Sequence, residues 1–281
     1  MTTVTDGVVT TASAVPFYVA QADEVAVFEA AFHRRLPILL KGPTGCGKTR
    51  FLEHMAARLV GVDGSTGLSL TTVACHEDLT VSDLVGRHLL NADETVWVDG
   101  PLTHAVRSGG LCYLDEIVEA RKDTTVVIHP LTDHRRTLPI DKLATEVRAH
   151  DDFLLVLSYN PGYQSSLKEL KPSTLQRFVA IEFGYPHADV EVEIVRGETE
   201  ADAHTARQLV TLANNIRNLQ DSTAIEGPGT RLLVHAAELI LAGLPPARAC
   251  DVAITSVLTN DPDTVTTLTE LVEAQFRAAE R

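Results

Sequence analysis

Apolar residues fall along the first two thirds of this chain in short runs bounded by turn-forming or charged residues, and along the last third at helical spacing. The runs around Leu36, Ile38, Leu39 and Leu40, at 68–74, at 110–116 (GLCYLDE), at 153–158 (FLLVLS) and at 178–183 are short, continuous and rich in β-formers. Such runs suit strands buried on both faces of a parallel sheet. Between them, Val25, Val27, Phe28, Ala31 and Phe32 predict a helix within 22–33. Phe51, Leu52, Met55, Ala56 and Leu59 predict a second helix, and a third is expected over 118–127. Two stretches interrupt the alternation. Leu89-Leu90 and Val96-Trp97-Val98 flank Asn91-Ala92-Asp93 as the arms of a hairpin projecting from the core, and residues 134–140 begin a second hairpin reaching towards Asp151. Trp97, on the first hairpin, is read as a packing residue before a contact site.

After Pro186 the pattern becomes helical throughout. Segments 190–195, 206–219, 230–241, 247–258 and 265–279 are separated by Gly, Pro, Asp and Asn breaks. The expected organisation is a leader at 1–16 with no clear period, loosely held, an α/β domain at 17–185 and a small all-helical domain at 186–281. Composition adds exclusions. The 281 residues carry 38 acidic and 24 basic side chains, a formal net charge of -14. That balance repels a phosphate backbone, and no basic stripe offsets it, so nucleic acid is not the expected partner. The four cysteines, Cys46, Cys75, Cys112 and Cys250, have no metal-ligand spacing and read as reduced thiols. The chain shows no membrane-length apolar run and no signal-peptide order, which makes a cytoplasmic protein the expectation.

The chemistry concentrates at the ends of the predicted strands. Gly42, Pro43, Thr44, Gly45, Cys46, Gly47, Lys48 and Thr49 spell GPTGCGKT between the first strand and its helix. In this phosphate-binding pattern, glycines let backbone N–H groups curl around an anion, Lys48 adds a point charge, and Thr49 offers a hydroxyl to Mg²⁺. A plain glycine-rich turn accounts for the glycines but not for Lys48 followed by Thr49. Asp115 and Glu116 close the run 110–116, where a parallel strand would deliver them beside the phosphates. There Asp115 would hold Mg²⁺ and Glu116 would take a proton from the attacking water. Taken alone, the pair reads equally as a solvated cap after a core strand. Asn160 follows the strand 153–158 and is expected to bond the attacking water or the γ-phosphate, with a turn-capping role as the local alternative. Arg177 ends the predicted loop and helix at 167–178, and Arg231 stands at the start of the helix 230–241, where the dipole opposes a cation and hints at an anionic partner.

With these residues in place the chain resembles the AAA+ ATPases, specifically the MoxR group and its CbbQ/NirQ/NorQ subgroup. The stretches LLKGPTGCGKTRF, TVACHEDLTVSDLVGR, CYLDE, SYNPGYQSSLKELKPSTLQRFV and TRLLVHAA carry the resemblance. It implies a P-loop AAA+ α/β domain of three layers with a helix-2 insert near 89–98 and a pre-sensor-1 hairpin near 135–146, followed by an all-helical lid. It also implies a homo-oligomeric ring, usually hexameric, binding ATP and Mg²⁺ at subunit interfaces. By motif, Lys48 and Thr49 correspond to Walker A, Asp115 and Glu116 to Walker B, and Asn160 to sensor 1. Arg177 corresponds to the arginine finger acting in trans, and Arg231 to sensor 2. Members of the group activate or mature client metabolic enzymes with a von Willebrand factor A partner, the clients being rubisco and nitric oxide or nitrite reductase systems.

Other classes stay open at this level. A P-loop kinase or transferase would share Lys48, Thr49 and Asp115 but has no use for Asn160, Arg177 and a helical lid in this order. A structural assembly ATPase of the gas-vesicle type would assemble on ATP with slow turnover. A DNA-dependent ATPase is disfavoured by charge.

Overall fold

The structure, a computed structural model, describes residues 8–10, 15–91, 94–161, 170–219 and 226–277. The expected turn at Ala92-Asp93, most of the leader, and much of the loop before Arg177 lie outside the described residues. The chain divides into two compact units. One holds the described residues within 1–16, 22–41 and 49–182, and the other those within 17–21, 42–48 and 183–281.

The first unit is built on strands β1 (Val8–Thr10), β2 (Ile38–Lys41), β3 (Leu70–Ala74), β6 (Gly110–Asp115), β9 (Phe153–Tyr159) and β10 (Val179–Glu182), in the sheet order β1-β3-β6-β9-β2-β10. The five strands from β3 to β10 run parallel, and β1 adds an antiparallel edge, Val9 opposite Thr71. A paired strand within the expected leader follows from the β-forming triplet Val8-Val9-Thr10. Strand periodicity sorts the core into two faces. Leu39, Cys112, Leu114, Leu155 and Leu157 join one buried cluster with Leu102, Val106 and Leu138. Their neighbours Ile38, Leu40, Leu111, Tyr113, Leu154 and Val156 point the other way and are equally buried. Both faces of the sheet are therefore covered, which gives the three-layer parallel-sheet domain expected from the sequence. The helices Glu24–His33 and Lys48–Arg58 flank β2 in sequence and meet through Phe28 and Phe51, edge to face at 5.3 Å.

Two hairpins leave this core. A short helix, Val81–Val85, starts on a reciprocal cap in which Thr80 and Asp83 each bond the other's backbone N–H. It leads into β4 (Gly86–Asn91) paired antiparallel with β5 (Glu94–Asp99). Leu90 is 89% exposed, whereas Trp97 packs against the core, donates to Asp99 at 2.6 Å and meets the His88 ring at 5.1 Å. The second hairpin pairs β7 (Thr137–Ile140) with β8 (Thr145–Arg148). The helix expected over 118–127 is divided: a single turn, Ile117–Glu119, precedes Lys122–Val127, because Ala120 and Arg121 are extended, with ψ of 157° and 153°.

The second unit is the helical one. Helices Ala188–Glu198, Ala203–Arg217, Thr230–Leu241 and Pro262–Arg277 bury Val195, Leu209, Leu212, Ile216, Leu233, Leu268 and Val272 in one cluster. Asp202 caps its helix by accepting from the backbone N–H groups of His204 and Thr205. The helix expected over 247–258 is interrupted by a wider π turn at Asp251–Thr255, which keeps Ala249, Cys250, Ala253, Ile254 and Thr255 buried together.

Candidate functional site

The parallel strands set the geometry of the first half of the site. Because β2, β6 and β9 are parallel and adjacent, their C-terminal ends share one edge of the sheet, the edge at which such sheets bind ligands. Asp115 ends β6, and Asn160 follows β9 and is 8% exposed. Thr49 lies in the first turn of the helix that begins at Lys48. The β6–β9 register, Tyr113 opposite Val156 and Leu114 opposite Leu157, aligns Asp115 with Ser158.

A chain of hydroxyls joins these residues. Asp115 Oδ1 accepts from the Tyr113 phenol and, at 2.5 Å, from Ser158 Oγ. The Tyr113 and Ser158 oxygens are themselves 3.0 Å apart, but each hydroxyl has one proton and an ionised carboxylate can only accept. Both protons therefore point to Asp115. This leaves the Ser158 oxygen to accept the Glu116 backbone N–H at 3.1 Å. Burial, with the Asp115 charge beside it, raises the Tyr113 phenol above its ordinary pKa and keeps it a donor. A buried tyrosine and a buried serine thus hold one side chain that the sequence assigns to a metal, Asp115.

Glu116 is held differently. Its backbone is left-handed, φ 53° and ψ 50°, a conformation that costs a non-glycine residue about 1–2 kcal/mol, and its side chain is exposed. The Ser158 bond to its N–H helps fix that turn, which moves Glu116 off the line of β6. Arg177 lies elsewhere on the same unit. Its Nε donates to Ser173 O at 3.2 Å, and its guanidinium stands 3.8 Å from Asp133. The His129 imidazole is lowered from its ordinary pKa by burial first, then by the Arg177 and Lys171 charges.

The glycine-rich loop belongs to the helical unit. Gly45 and Gly47 take φ of +76° and +100°, a region that side chains avoid, which is the backbone freedom a loop needs to curl its N–H groups around an anion. Thr44 N–H donates to the Glu226 carboxylate at 3.0 Å, so an anionic oxygen is already bound by the loop backbone. Lys48 Nζ reaches back to the carbonyls of Gly42 and Pro43 at 2.7 and 2.9 Å. The turn at Gly229 packs against this loop so closely that a Cβ there would stand 2.6 Å from Thr44 O. Arg231 is exposed in the first turn of the helix Thr230–Leu241, beside Gly45.

The structure accordingly brings Thr49, Asp115, Glu116 and Asn160 to the strand ends of one unit and gathers 42–48 with Arg231 in the other. Sequence reasoning missed Tyr113, Ser158 and Glu226. The only trace of Ser158 was a polar residue ending an apolar run, and Tyr113 was counted as a strand residue. The hydroxyl and carboxylate oxygens of Thr49 and Asp115 are hard donors of the kind that would suit Mg²⁺.

Comparison with known proteins places the chain in a family. Residues 37–178 match the AAA domain (dynein-related subfamily), and residues 191–275 match the CbbQ/NirQ/NorQ C-terminal region. Protein NorQ of Paracoccus denitrificans is 57% identical over 261 residues, covering 93% of this chain and 94% of that protein. Protein CbbQ of Hydrogenophilus thermoluteolus is 56% identical, covering 88% and 90%. The denitrification regulatory protein NirQ of Pseudomonas aeruginosa is 53% identical, covering 92% and 97%. A solved structure from Cytophaga hutchinsonii shares the fold, with a TM-score of 0.50 at 16% identity over 88% of this chain and 80% of that one.

Proposed function

As the chain belongs to the CbbQ/NirQ/NorQ subgroup of the MoxR-type AAA+ ATPases, we propose that it hydrolyses ATP in a Mg²⁺-dependent reaction within a homo-oligomeric ring, hexameric by analogy with the family. Turnover remodels and so activates a client enzyme, in concert with a von Willebrand factor A partner. The client is a nitric oxide or nitrite reductase system, or rubisco. The observation that carries the ATPase reading is the disposition of the two adjacent carboxylates: Asp115 anchored by two hydroxyls and Glu116 turned off the line of the strand by its left-handed backbone. Two carboxylates in distinct environments suit distinct roles.

In the proposed mechanism the backbone N–H groups of the loop 42–48 and the Lys48 ammonium hold the β- and γ-phosphates. Thr49 and Asp115 would hold Mg²⁺, which when bound would supply charge neutralisation at the phosphates. Glu116 accepts the proton of the attacking water, and Asn160 orients that water or the γ-phosphate. Arg177 stabilises the transferring phosphoryl group of a neighbouring subunit, and Arg231 senses the γ-phosphate. The partly exposed position of Arg177 on its own unit is compatible with service to another subunit. Family membership argues against phosphate transfer to a small acceptor, and the net charge of -14 fits a protein client better than nucleic acid.

Glu116→Gln tests both levels of the reading. The variant is expected to bind ATP with unchanged affinity and to lose turnover by orders of magnitude. Hydrolysis at the unmodified rate would remove Glu116 as the base. Used as a trap in native lysate, the same variant is expected to retain its client and partner. Similarity to NorQ and CbbQ is nearly equal, 57% and 56%, so co-purification of a reductase or of rubisco makes the assignment.

A further inference from the structure

We propose that Ser158 is a positioning residue that couples the two adjacent carboxylates, holding the Asp115 side chain and the Glu116 backbone through one hydroxyl. The proposal rests on the ATPase reading and deepens it by giving a residue of the neighbouring strand a part in the reaction. Ser158 lies on β9, where the register with β6 sets Leu157 opposite Leu114 and so brings Ser158 level with Asp115. The five residues before it on that strand are apolar and buried, and Ser158 is itself fully buried. A hydroxyl in such a place is unfavourable unless its bonds are made. Ser158 makes one in each direction. Its Oγ donates to Asp115 Oδ1 at 2.5 Å and accepts from the Glu116 backbone N–H at 3.1 Å.

The two bonds serve different parts of the site. At Asp115 the bond, with the one from Tyr113, fixes the rotation of the carboxylate that would hold Mg²⁺. At Glu116 it steadies the left-handed residue from which the proposed base projects, φ 53° and ψ 50°. A side chain's reach follows its backbone, and a reacting group displaced by about 1 Å can lose on the order of a hundredfold in rate. Polarity links the two bonds. The Ser158 proton is directed to Asp115, which leaves the oxygen's lone pairs for Glu116. Tyr113 shares the first task, since its phenol donates to Asp115 Oδ1, and Tyr113→Phe would leave the Ser158–Glu116 bond in place. Ser158→Ala removes a bond from each of the two residues at once. The pair of variants therefore separates the coupling from the anchoring of Asp115 alone.

The test is three measurements on the full chain. Hydrogen exchange at the Glu116 amide, followed by mass spectrometry with residue-level fragmentation, needs no turnover. In Ser158→Ala that amide should exchange roughly tenfold faster, and in Tyr113→Phe at about the wild-type rate. Mn²⁺ binding to the ATP-loaded chain, followed by electron paramagnetic resonance, should show a dissociation constant raised roughly tenfold in both variants, about the effect of one hydrogen bond to a charged group. At saturating Mg²⁺, kcat should fall about tenfold or more in Ser158→Ala and stay within about threefold of wild type in Tyr113→Phe. In a folded Ser158→Ala protein, unchanged Glu116 exchange, unchanged Mn²⁺ affinity, or a kcat that excess Mg²⁺ restores in full each overturns the proposal. Should Ser158→Ala not fold, Ser158→Cys, similar in size and a weaker donor, is read by the same criteria. Failure of the underlying ATPase reading looks different: Glu116→Gln would then hydrolyse ATP at the unmodified rate, while the exchange difference between the Ser158 and Tyr113 variants would persist.

Discussion

The guanidinium of Arg217 and the carboxylate of Glu191 form a two-armed ion pair inside the helical unit, each arm 2.7 Å long. Glu191 is fully buried and also accepts from Thr230 Oγ1 at 2.7 Å. Arg217 donates twice to Pro228 O and lies 4.1 Å over the Tyr185 ring, whose hydroxyl donates to Gly227 O. These bonds converge on 227–230, the turn that packs against the glycine-rich loop and starts the helix of Arg231.

Truncating one member of this pair leaves the other charge buried and uncompensated. Arg217→Ala should destabilise the helical unit by about 3–5 kcal/mol, and Glu191→Leu combined with Arg217→Met should recover most of that loss. Urea denaturation followed by circular dichroism reads both. A change of less than about 1 kcal/mol in Arg217→Ala would mean that the unit reorganises to solvate Glu191.

Gly229 reads the coupling between that turn and the loop. Alanine there would place its Cβ 2.6 Å from Thr44 O and 2.8 Å from Gly45 Cα, closer than side chains approach backbone. Relief requires the loop to shift, at about 1–3 kcal/mol, so ATP affinity should fall roughly five- to a hundredfold. Calorimetric titration with ATP in the presence of Mg²⁺ measures this, and unchanged affinity would show that the loop's anion site does not depend on its packing against Gly229.

How much of this was legible in the sequence depends on range. The loop 42–49, Asp115-Glu116 and the strands were readable because their signals are local: a spacing, an apolar run, a break. Tyr113 gave no such signal, since its meaning comes from β9 lying parallel to β6 in the register that sets Ser158 beside Asp115. Glu191 and Arg217, 26 residues apart, meet only because their helices pack. The break at Asp251–Thr255 was hidden for a related reason: a π turn inside a helix keeps the apolar spacing that periodicity detects while changing which residues share a face.

Glu116 carries backbone strain at a position assigned to chemistry. Glycine takes φ of 53° freely, so Glu116→Gly should remove about 1–2 kcal/mol of strain and return about 0.5–1 kcal/mol through a more flexible unfolded chain. The variant should be more stable by roughly 0.5–1 kcal/mol while its ATP turnover is lost. A thermal melt and a steady-state ATPase assay read the two effects, and a destabilised variant would mean that the Glu116 side chain contributes packing or bonding that outweighs the strain.

Buried thiols set the alkaline limit. Burial pushes Cys75, Cys112 and Cys250 up to about 12, from an ordinary thiol value of about 8.5. Below the ordinary value each thiol is neutral in both the folded and the unfolded chain, and stability does not depend on it. As pH rises through the interval, only the unfolded chain loses protons, so stability should fall by about 1.4 kcal/mol per pH unit for each thiol. Denaturation at pH 8, 9.5 and 10.5 should show that decline, and a Cys112→Ala chain should lose one thiol's share of it. A decline of the same slope in the variant would assign the alkaline limit to other groups.

Arg177 gives the sharpest separation between a subunit and a ring. Its guanidinium is steered on its own unit by Ser173 O and by Asp133, whose carboxyl is held at about 2 chiefly by the hydrogen bonds from Arg135. Asp133 is therefore ionised at any working pH and stands beside Arg177 as a fixed counter-charge. In the proposed ring Arg177→Ala should lower kcat by about 10³-fold or more and leave ATP affinity nearly unchanged, as expected of a group that acts on transition-state charge. Glu116→Gln subunits retain Arg177 but lack the base; Arg177→Ala subunits retain the base but lack the finger. Where an Arg177→Ala subunit receives the finger of a Glu116→Gln neighbour, one complete site is restored. Mixing the two inactive proteins in equal amounts should thus recover a substantial fraction of turnover, up to about a quarter of the sites by random placement if each site needs only these two groups. A finger acting within its own subunit predicts no recovery, because neither kind of subunit then owns both groups.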